Sequence, residues 1–363
     1  MKRVADLCRG SLAAFDLRVL IRLQPVENST WRLSDEARMR RAMNCIQLKG
    51  QRAAAVQSSN AEDFSYAPRR GREVKMNDKP IAVTRAGGPT EERPGELQVP
   101  KISVVVPSFN QAKYLELTLR SIIDQAYPKL ELIVIDGGSK DGSPDIIRKY
   151  KSHMKFWCSE PDGGQVPGII KGFSHASGDI FCFLNSDDLF EAGSLREVGE
   201  YFTQHPHTDA VFGNTLWIDA NGKPIRPQKE MPFNRFIFLH TYNYIPSMSM
   251  FWRRALYHRA GGLNPAFEMA FDADLWLRFS DHGAIKHVTR QWSRMRYYPE
   301  QKTQRLREIT TRELMLVRSR YWRNQEMPST YYLRRKIALA IRIVWKLLIG
   351  CYGRGYRRYI KNA

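Results

Sequence analysis

The sequence predicts an α/β fold in which a mostly parallel sheet is flanked by helices. Strand and helix patterns alternate from residue 101 onward, and a polar cluster follows each strand, where an open parallel sheet binds its ligands. Residues 102–107 (ISVVVP) form a β-branched strand candidate, and residues 112–126 place Leu115, Leu119, Ile122 and Ile123 at helical spacing. Residues 130–135 read as a second buried strand. Strand, helix and strand in so short a span make a βαβ unit with a right-handed crossover. The pattern repeats with a weak strand at 156–159, a helix at 167–176, an apolar strand at 180–184 and a helix at 194–202. Beyond Ala210 the alternation loosens. Residues 217–225, centred on Asn221-Gly222, predict a hairpin and hence antiparallel strands. Residues 271–282 begin a helix at Asp272 with Leu275, Trp276 and Phe279 on one face. From Gln301 the chain is helical in pattern and basic.

The 363 residues carry a formal charge of +20 and are 43% apolar, enough for a substantial core and about two domains. The charge is unevenly spread: +6 over residues 1–100, −1 over 101–280 and +15 over 281–363. The excess therefore sits in the tail rather than in a basic face of the folded body, and no nucleic acid is expected as partner. Cys8, Cys45, Cys158, Cys182 and Cys351 are scattered and odd in number, which argues against disulfides and a structural zinc site and for a reducing, cytosolic setting. Asp6, Arg9, Asp16 and Arg18 interrupt any secretory signal, and no run is apolar enough to span a membrane. The sequence holds no histidine-metal spacing, no Ser-His-Asp elbow and no GxxxxGK[ST] phosphate loop. Residues 1–99 have little sustained periodicity and read as a low-order extension with short helices near its start.

Four polar clusters follow the strands: PSFN at 107–110, DGGSKDGS at 136–143, EPDGGQ at 160–165 and NSDD at 185–188. Asp187 and Asp188 either hold a hard divalent cation beside substrate phosphates or serve an Asx turn and cap the helix near Ser194. Asp136 with Gly137 and Gly138 either lines a base or ribose pocket, where backbone must approach a ligand, or makes a plain turn. Asp272 is a helix N-cap or a general base, with Asp274 favourable in the same first turn.

These clusters, in this order, resemble the family 2 glycosyltransferases. The stretch VVVPSFNQAKYLELTLRSIIDQAYPKLELIVIDGGSKDGSPDIIRKY carries the likeness, followed by EPDGGQ, KGFSHASGDI, FLNSDD and FDADLWLR. The resemblance covers about residues 101–300. It implies a GT-A-like, Rossmann-related catalytic domain over 100–300, and the residues beyond it read by their own pattern as a basic amphipathic helical region over 301–363. It also implies that Pro107, Ser108 and Asn110 border the nucleotide, that Asp136 holds the uracil or ribose with Gly138 beside it, and that Asp187 faces the ribose. Gly164, Gln165 and Lys171 would line the donor pocket, Asp188 would bind Mn²⁺ or Mg²⁺, and Asp272 would deprotonate the acceptor. The implied reaction moves a sugar from a nucleotide-sugar, with UDP as the expected carrier, to a hydroxyl with inversion. The chain departs from the family pattern at Gly137, Pro167, Ile170, Ser247 and Tyr298, and the changes at Pro167, Ile170 and Tyr298 keep alive the alternative of a catalytically impaired nucleotide-binding module tethered to a membrane by its basic tail. A nucleotidyltransferase would want a Gly-rich loop with a basic residue where PSFNQ stands.

Residues 337–349 are almost wholly apolar, but Arg335, Arg342 and Lys346 fall on one helical stripe with Trp345 near its boundary. That pattern predicts a helix in a membrane interface, or one packed on the catalytic domain with a solvated basic end. Arg354, Arg357, Arg358 and Lys361 follow. The expected partners are a nucleotide-sugar donor, a saccharide or lipid-linked acceptor and an anionic membrane surface, with the protein peripheral on the cytoplasmic face and acting in surface polysaccharide or glycolipid assembly.

Overall fold

A computed structural model describes residues 99–351, apart from 323 and 325. The expected N-terminal extension, and the basic residues from Arg354 to Lys361, lie outside the described residues.

Strand β1 (Ile102–Ser108) is buried along its whole length, as a strand covered on both faces must be. Helix α1 (Ala112–Ile123), β2 (Leu130–Asp136), α2 (Ser143–Tyr150), β3 (Phe156–Ser159), α3 (Gln165–Ser174) and β4 (Ile180–Phe183) complete the alternating part. Strands β3, β2, β1 and β4 lie side by side and parallel. The chain steps from β1 to β2 and β3 on one side, then returns to set β4 on the other. Strand order thus reverses between β1 and β4, and the carboxyl ends of these strands are where an open α/β sheet binds its ligands.

The short β5 (Leu189–Phe190), α4 (Ser194–Gln204), β6 (Ala210–Ile218) and β7 (Pro224–Gln228) follow. The hairpin read from Asn221-Gly222 is the β6–β7 connection, and Gly222 takes the positive φ that its turn demands. Then come α5 (Arg235–His240), β8 (Met250–Arg253), α6 (Arg254–Arg259), α7 (Phe271–His282) and β9 (Ile285–Arg296). Strand β8 pairs antiparallel with β4 and β6, while β9 runs parallel to β6, giving one mixed nine-stranded sheet. The sequence reading had no strand at β5, β8 or β9. The first two are two and four residues long, and β9 has an irregular burial pattern with two register shifts against β6.

Helices α8 (Lys302–Arg305), α9 (Arg307–Ser319) and α10 (Tyr331–Leu348) end the described chain. The basic stripe predicted for α10 is present but faces inward. Arg342 is 6% exposed and pairs with the buried Glu230 at 3.0 Å, joined by Lys346 at 3.0 Å. Neither predicted orientation anticipated this, because the partner lies more than a hundred residues upstream, beyond the reach of periodicity.

Gly172 sets how closely α3 approaches the sheet. A β-carbon there would lie 2.3 Å from Val105 Cγ1 on β1. Alanine gains up to about 1 kcal/mol in helix propensity, but overpacking costs about 1–3 kcal/mol. Gly172→Ala is therefore expected to lower the thermal midpoint, and a calorimetric scan showing a rise would contradict this packing.

Candidate active site

The predicted polar clusters gather at the carboxyl ends of the parallel strands. After β1, Gly137 N–H donates to the Ser108 carbonyl at 2.8 Å and Asn110 N–H donates to Ser139 Oγ at 2.7 Å, so the first two clusters interlock. The Asn110 side-chain oxygen accepts from Lys140 N–H at 3.0 Å. Pro107 and Ser108 are buried at the strand end, and Ser108 Oγ has no hydrogen-bond partner. Asp136 is fully buried and accepts from Ser139 N–H at 2.9 Å, Ser139 Oγ at 2.6 Å and Ser159 Oγ at 2.7 Å. These bonds brace the turn that follows β2. A carboxylate can accept about four hydrogen bonds, which leaves room for one more donor.

Asp162, which the sequence reading passed over, fills the space behind this loop. A β-carbon on Gly137 would come within 3.0 Å of Asp162 Oδ1, and one on Gly168 within 2.5 Å of Oδ2. An aspartate in place of Gly137 would thus set a second carboxylate against Asp162. Asp162 also accepts from Gly164 N–H at 2.8 Å, fixing the turn into α3. Gly138 and Gly164 both have positive φ, which glycine adopts without strain. Gln165 then donates to Asn185 Oδ1 at 2.8 Å, joining the EPDGGQ and NSDD clusters. Lys171 pairs instead with Glu160. Pro167 and Ile170 lie within α3, with Ile170 packed on the core.

Asp187 and Asp188 are 8% and 1% exposed. Neither caps the helix near Ser194, whose N-cap is Gly193. Asp187 accepts from the Tyr298 hydroxyl at 2.9 Å, so the tyrosine at the departing position belongs to the site. Asp188 accepts from Arg296 N–H at 2.9 Å and from Asn185 Nδ2 at 3.3 Å. Burial holds both carboxyls above their ordinary range, and for Asp188 the adjacent Asp187 charge adds to it. Arg296, missed in the sequence, is 1% exposed and lies over the Tyr114 ring. Its side chain donates to the carbonyls of Asp187 (2.9 Å), Asp219 (3.1 Å) and Ala220 (3.1 Å), tying the NSDD turn to the β6–β7 hairpin. Among the described residues no lysine or arginine side chain pairs with either carboxylate. Two desolvated hard-oxygen ligands without a paired cation fit a Mn²⁺ or Mg²⁺ ion, although the described residues contain no cluster of three candidate ligands.

Asp272 lies in the first turn of α7. The N-cap is Ala270, so the capping role read for Asp272 is not the one observed. Asp272 Oδ1 accepts from Ala273 N–H at 2.7 Å and Oδ2 from Asn243 Nδ2 at 2.8 Å. Burial pushes its pKa up to about 6, against the lowering effect of those two bonds. The preceding Phe271 packs on Phe183 of β4 with ring centroids 5.8 Å apart, which sets the start of α7 beside the strand that leads into Asp187 and Asp188. The segment before α7 is held by Glu313 of α9, whose carboxylate accepts from the N–H groups of Glu268, Met269 and Ala270 at 2.7–2.9 Å. Ser247 sits in a single 3₁₀ turn ahead of β8. A cleft of about 360 Å³ between α4 and β9, crossed by the Glu197–Arg290 pair, contains none of these residues.

The family described as Glycosyl transferase family 2 matches residues 103–259. An uncharacterized glycosyltransferase of Mycobacterium tuberculosis is 31% identical over 181 residues, 49% of this chain and 68% of the relative. A PGL/p-HBAD biosynthesis glycosyltransferase of Mycobacterium bovis is 28% identical over 198 residues, 53% of this chain and 74% of the relative. The structure of S. aureus TarS 1-349 in complex with UDP-GlcNAc aligns with a TM-score of 0.50 at 19% identity, over 60% of this chain and 65% of that one, so the GT-A-like fold is shared. With the motifs in order, the carboxylates at the strand mouths and a relative matched over two thirds of its length, this chain belongs to glycosyl transferase family 2 and is a glycosyltransferase.

Proposed function

We propose that the enzyme transfers a sugar from a UDP-sugar to a hydroxyl acceptor with inversion at the anomeric carbon, using Mn²⁺ or Mg²⁺. The observation that carries this reading is the pairing of two chemically different acid sites beside one strand. Asp187 and Asp188 form a buried, doubly acidic turn, while Asp272 is a lone carboxylate whose pKa lies near 6. Such a division suits a single displacement in which charge leaves on one side and a proton on the other. Asp188 is the residue we assign to the metal, which when bound supplies positive charge to the departing diphosphate. Asp272 takes the acceptor hydroxyl proton, the oxygen bonds to the anomeric carbon, and the bond to the nucleoside diphosphate breaks. Asn243 keeps the Asp272 carboxylate oriented and partly stabilised. Pro107, Ser108, Asn110, Asp136 and Gly138 border the nucleotide, and Asp187, Gly164, Gln165 and Lys171 complete the donor side. The choice of UDP follows the ligand held by the similarly folded TarS. We further assign the enzyme to surface polysaccharide or glycolipid assembly on the cytoplasmic face of a membrane, where a saccharide or lipid-linked acceptor is presented.

UDP with Mn²⁺ is expected to raise the melting temperature by about 5–10 °C at a hundredfold excess over Kd. The rise should be absent with chelator and in Asp188→Ala. If none of UDP, GDP, CDP and TDP produces a shift, the impaired-module alternative is favoured instead. For the base, kcat/KM should fall about tenfold per pH unit below about 6, because only the deprotonated carboxylate accepts the proton. Asn243→Ala removes a bond that favours the charged form, so the acid limb should move to higher pH. An Asp272→Asn enzyme that retained full transfer would remove the base assignment.

A further inference from the structure

Helix α10 is amphipathic in the wrong sense for a helix lying on a water-soluble body. Such a helix ordinarily turns its apolar stripe inward. Here the buried positions are Tyr331, Ala338 and Arg342. Leu333, Ile337, Ile341, Val344, Leu347 and Leu348 point outward, with exposures from 42% to 81%. Their spacing of three and four residues makes them one continuous stripe. The orientation is fixed by Glu230, which is 2% exposed and receives Arg342 and Lys346 together, and by Tyr242, whose ring lies 4.2 Å from the Arg342 guanidinium. Burying these charges costs solvation energy, while the outward stripe leaves several large apolar side chains in water. In an isolated molecule that stripe stays in water, so the observed orientation suits a molecule whose outer face is covered.

The charge around the stripe identifies what covers it. Helix α10 has five Lys and Arg and no Asp or Glu, and of the five, Arg342 and Lys346 are turned inward onto Glu230. The exposed Arg334 and Lys336 flank the stripe on opposite sides, and Tyr332 and Trp345, 48% and 41% exposed, stand at its two margins. An apolar face edged by cations and amphipathic rings matches the boundary between acyl chains and anionic headgroups. With 18 residues α10 is about 27 Å long, and no described helix is long and apolar enough to cross a membrane. We propose that the outward face of α10 docks flat on an anionic lipid bilayer, with the Glu230 clamp holding that face outward. The docked element adjoins the reaction site: Tyr242, beneath Arg342, precedes Asn243, the partner of Asp272. This inference rests on the proposed membrane setting, but its test reads lipid binding alone.

The test is flotation of the full chain with phosphatidylcholine vesicles, with and without phosphatidylglycerol. Binding should require phosphatidylglycerol and should weaken about tenfold or more in a Val344→Glu, Leu348→Glu double variant. Arg334→Ser with Lys336→Ser should weaken it as well, while melting temperature and the UDP-induced shift stay at wild-type values in both variants. Vesicle binding by a chain that shows no nucleotide shift would leave docking intact and remove only the donor assignment. Undiminished binding by the double variant would overturn the proposal. So would wild-type binding that is equal on neutral vesicles, or a wild-type dimer that ignores vesicles and becomes monomeric in the double variant.

Discussion

The structure around the site depends on how two adjacent carboxylates are kept buried at the end of β4. Like charges so close, removed from water, repel each other and hold each other's protons. The protein does not neutralise Asp187 and Asp188 by placing a side-chain cation on them. It surrounds them with neutral donors: the Tyr298 hydroxyl, the Asn185 amide and the Arg296 backbone N–H. Arg296 supplies a charge nearby, but its guanidinium is spent on three carbonyl oxygens that tie the turn to the hairpin. The result is a buried turn of two carboxyls with no side-chain cation paired to either, an arrangement that costs stability.

The same logic separates two carboxylates within one turn of α7. Asp274 is 2% exposed and is joined by Arg278 and Arg320, so its role is to anchor the helix. Asp272, two residues earlier, receives hydrogen bonds only from neutral groups and titrates near 6. Environment, not residue type, makes one an anchor and the other a candidate base. Glu313 supports that difference from α9, since its three bonds to the backbone before the helix fix where Asp272 begins. The segment after residue 300 therefore contributes to the active-site scaffold.

What the sequence disclosed, and what it hid, divides along range. The βαβ alternation and the polar clusters are local patterns, and β1 to β4 with the hairpin at Asn221-Gly222 were legible from them. Asp136, Asp187, Asp188 and Asp272 stand out in the sequence as candidates because each lies at the end of a strand or the start of a helix, and the coordinates give their burial and partners but not their roles. Arg296 and Glu313 gave no signal, and Asp162 was visible only as a member of the EPDGGQ cluster, without a role of its own. The first two act on backbone groups that lie from 43 to 109 residues away in the chain, and the third is recognisable only from the space that two glycines leave it. Strand β9 was hidden for a related reason: its pairing with β6 is irregular, so no period-two pattern marks it.

The C-terminal charge shows how composition misleads when burial is unknown. A surplus of +15 over residues 281–363 suggests a uniformly solvated basic tail. Several of those cations are instead spent inside the protein: Arg320 on Asp274, Arg318 on the Thr241 carbonyl, and Arg342 with Lys346 on Glu230. Each of these contacts falls on the segments that carry Asn243 or Asp272, or on Glu230 just ahead of them. These four cations therefore brace the segments around Asn243 and Asp272, whereas Arg334 and Lys336 lie exposed beside an apolar stripe. Helix periodicity placed Arg342 and Lys346 on a common stripe correctly. Glu230 and Tyr242 determine that this stripe faces the protein, and so leave leucine, isoleucine and valine facing outward.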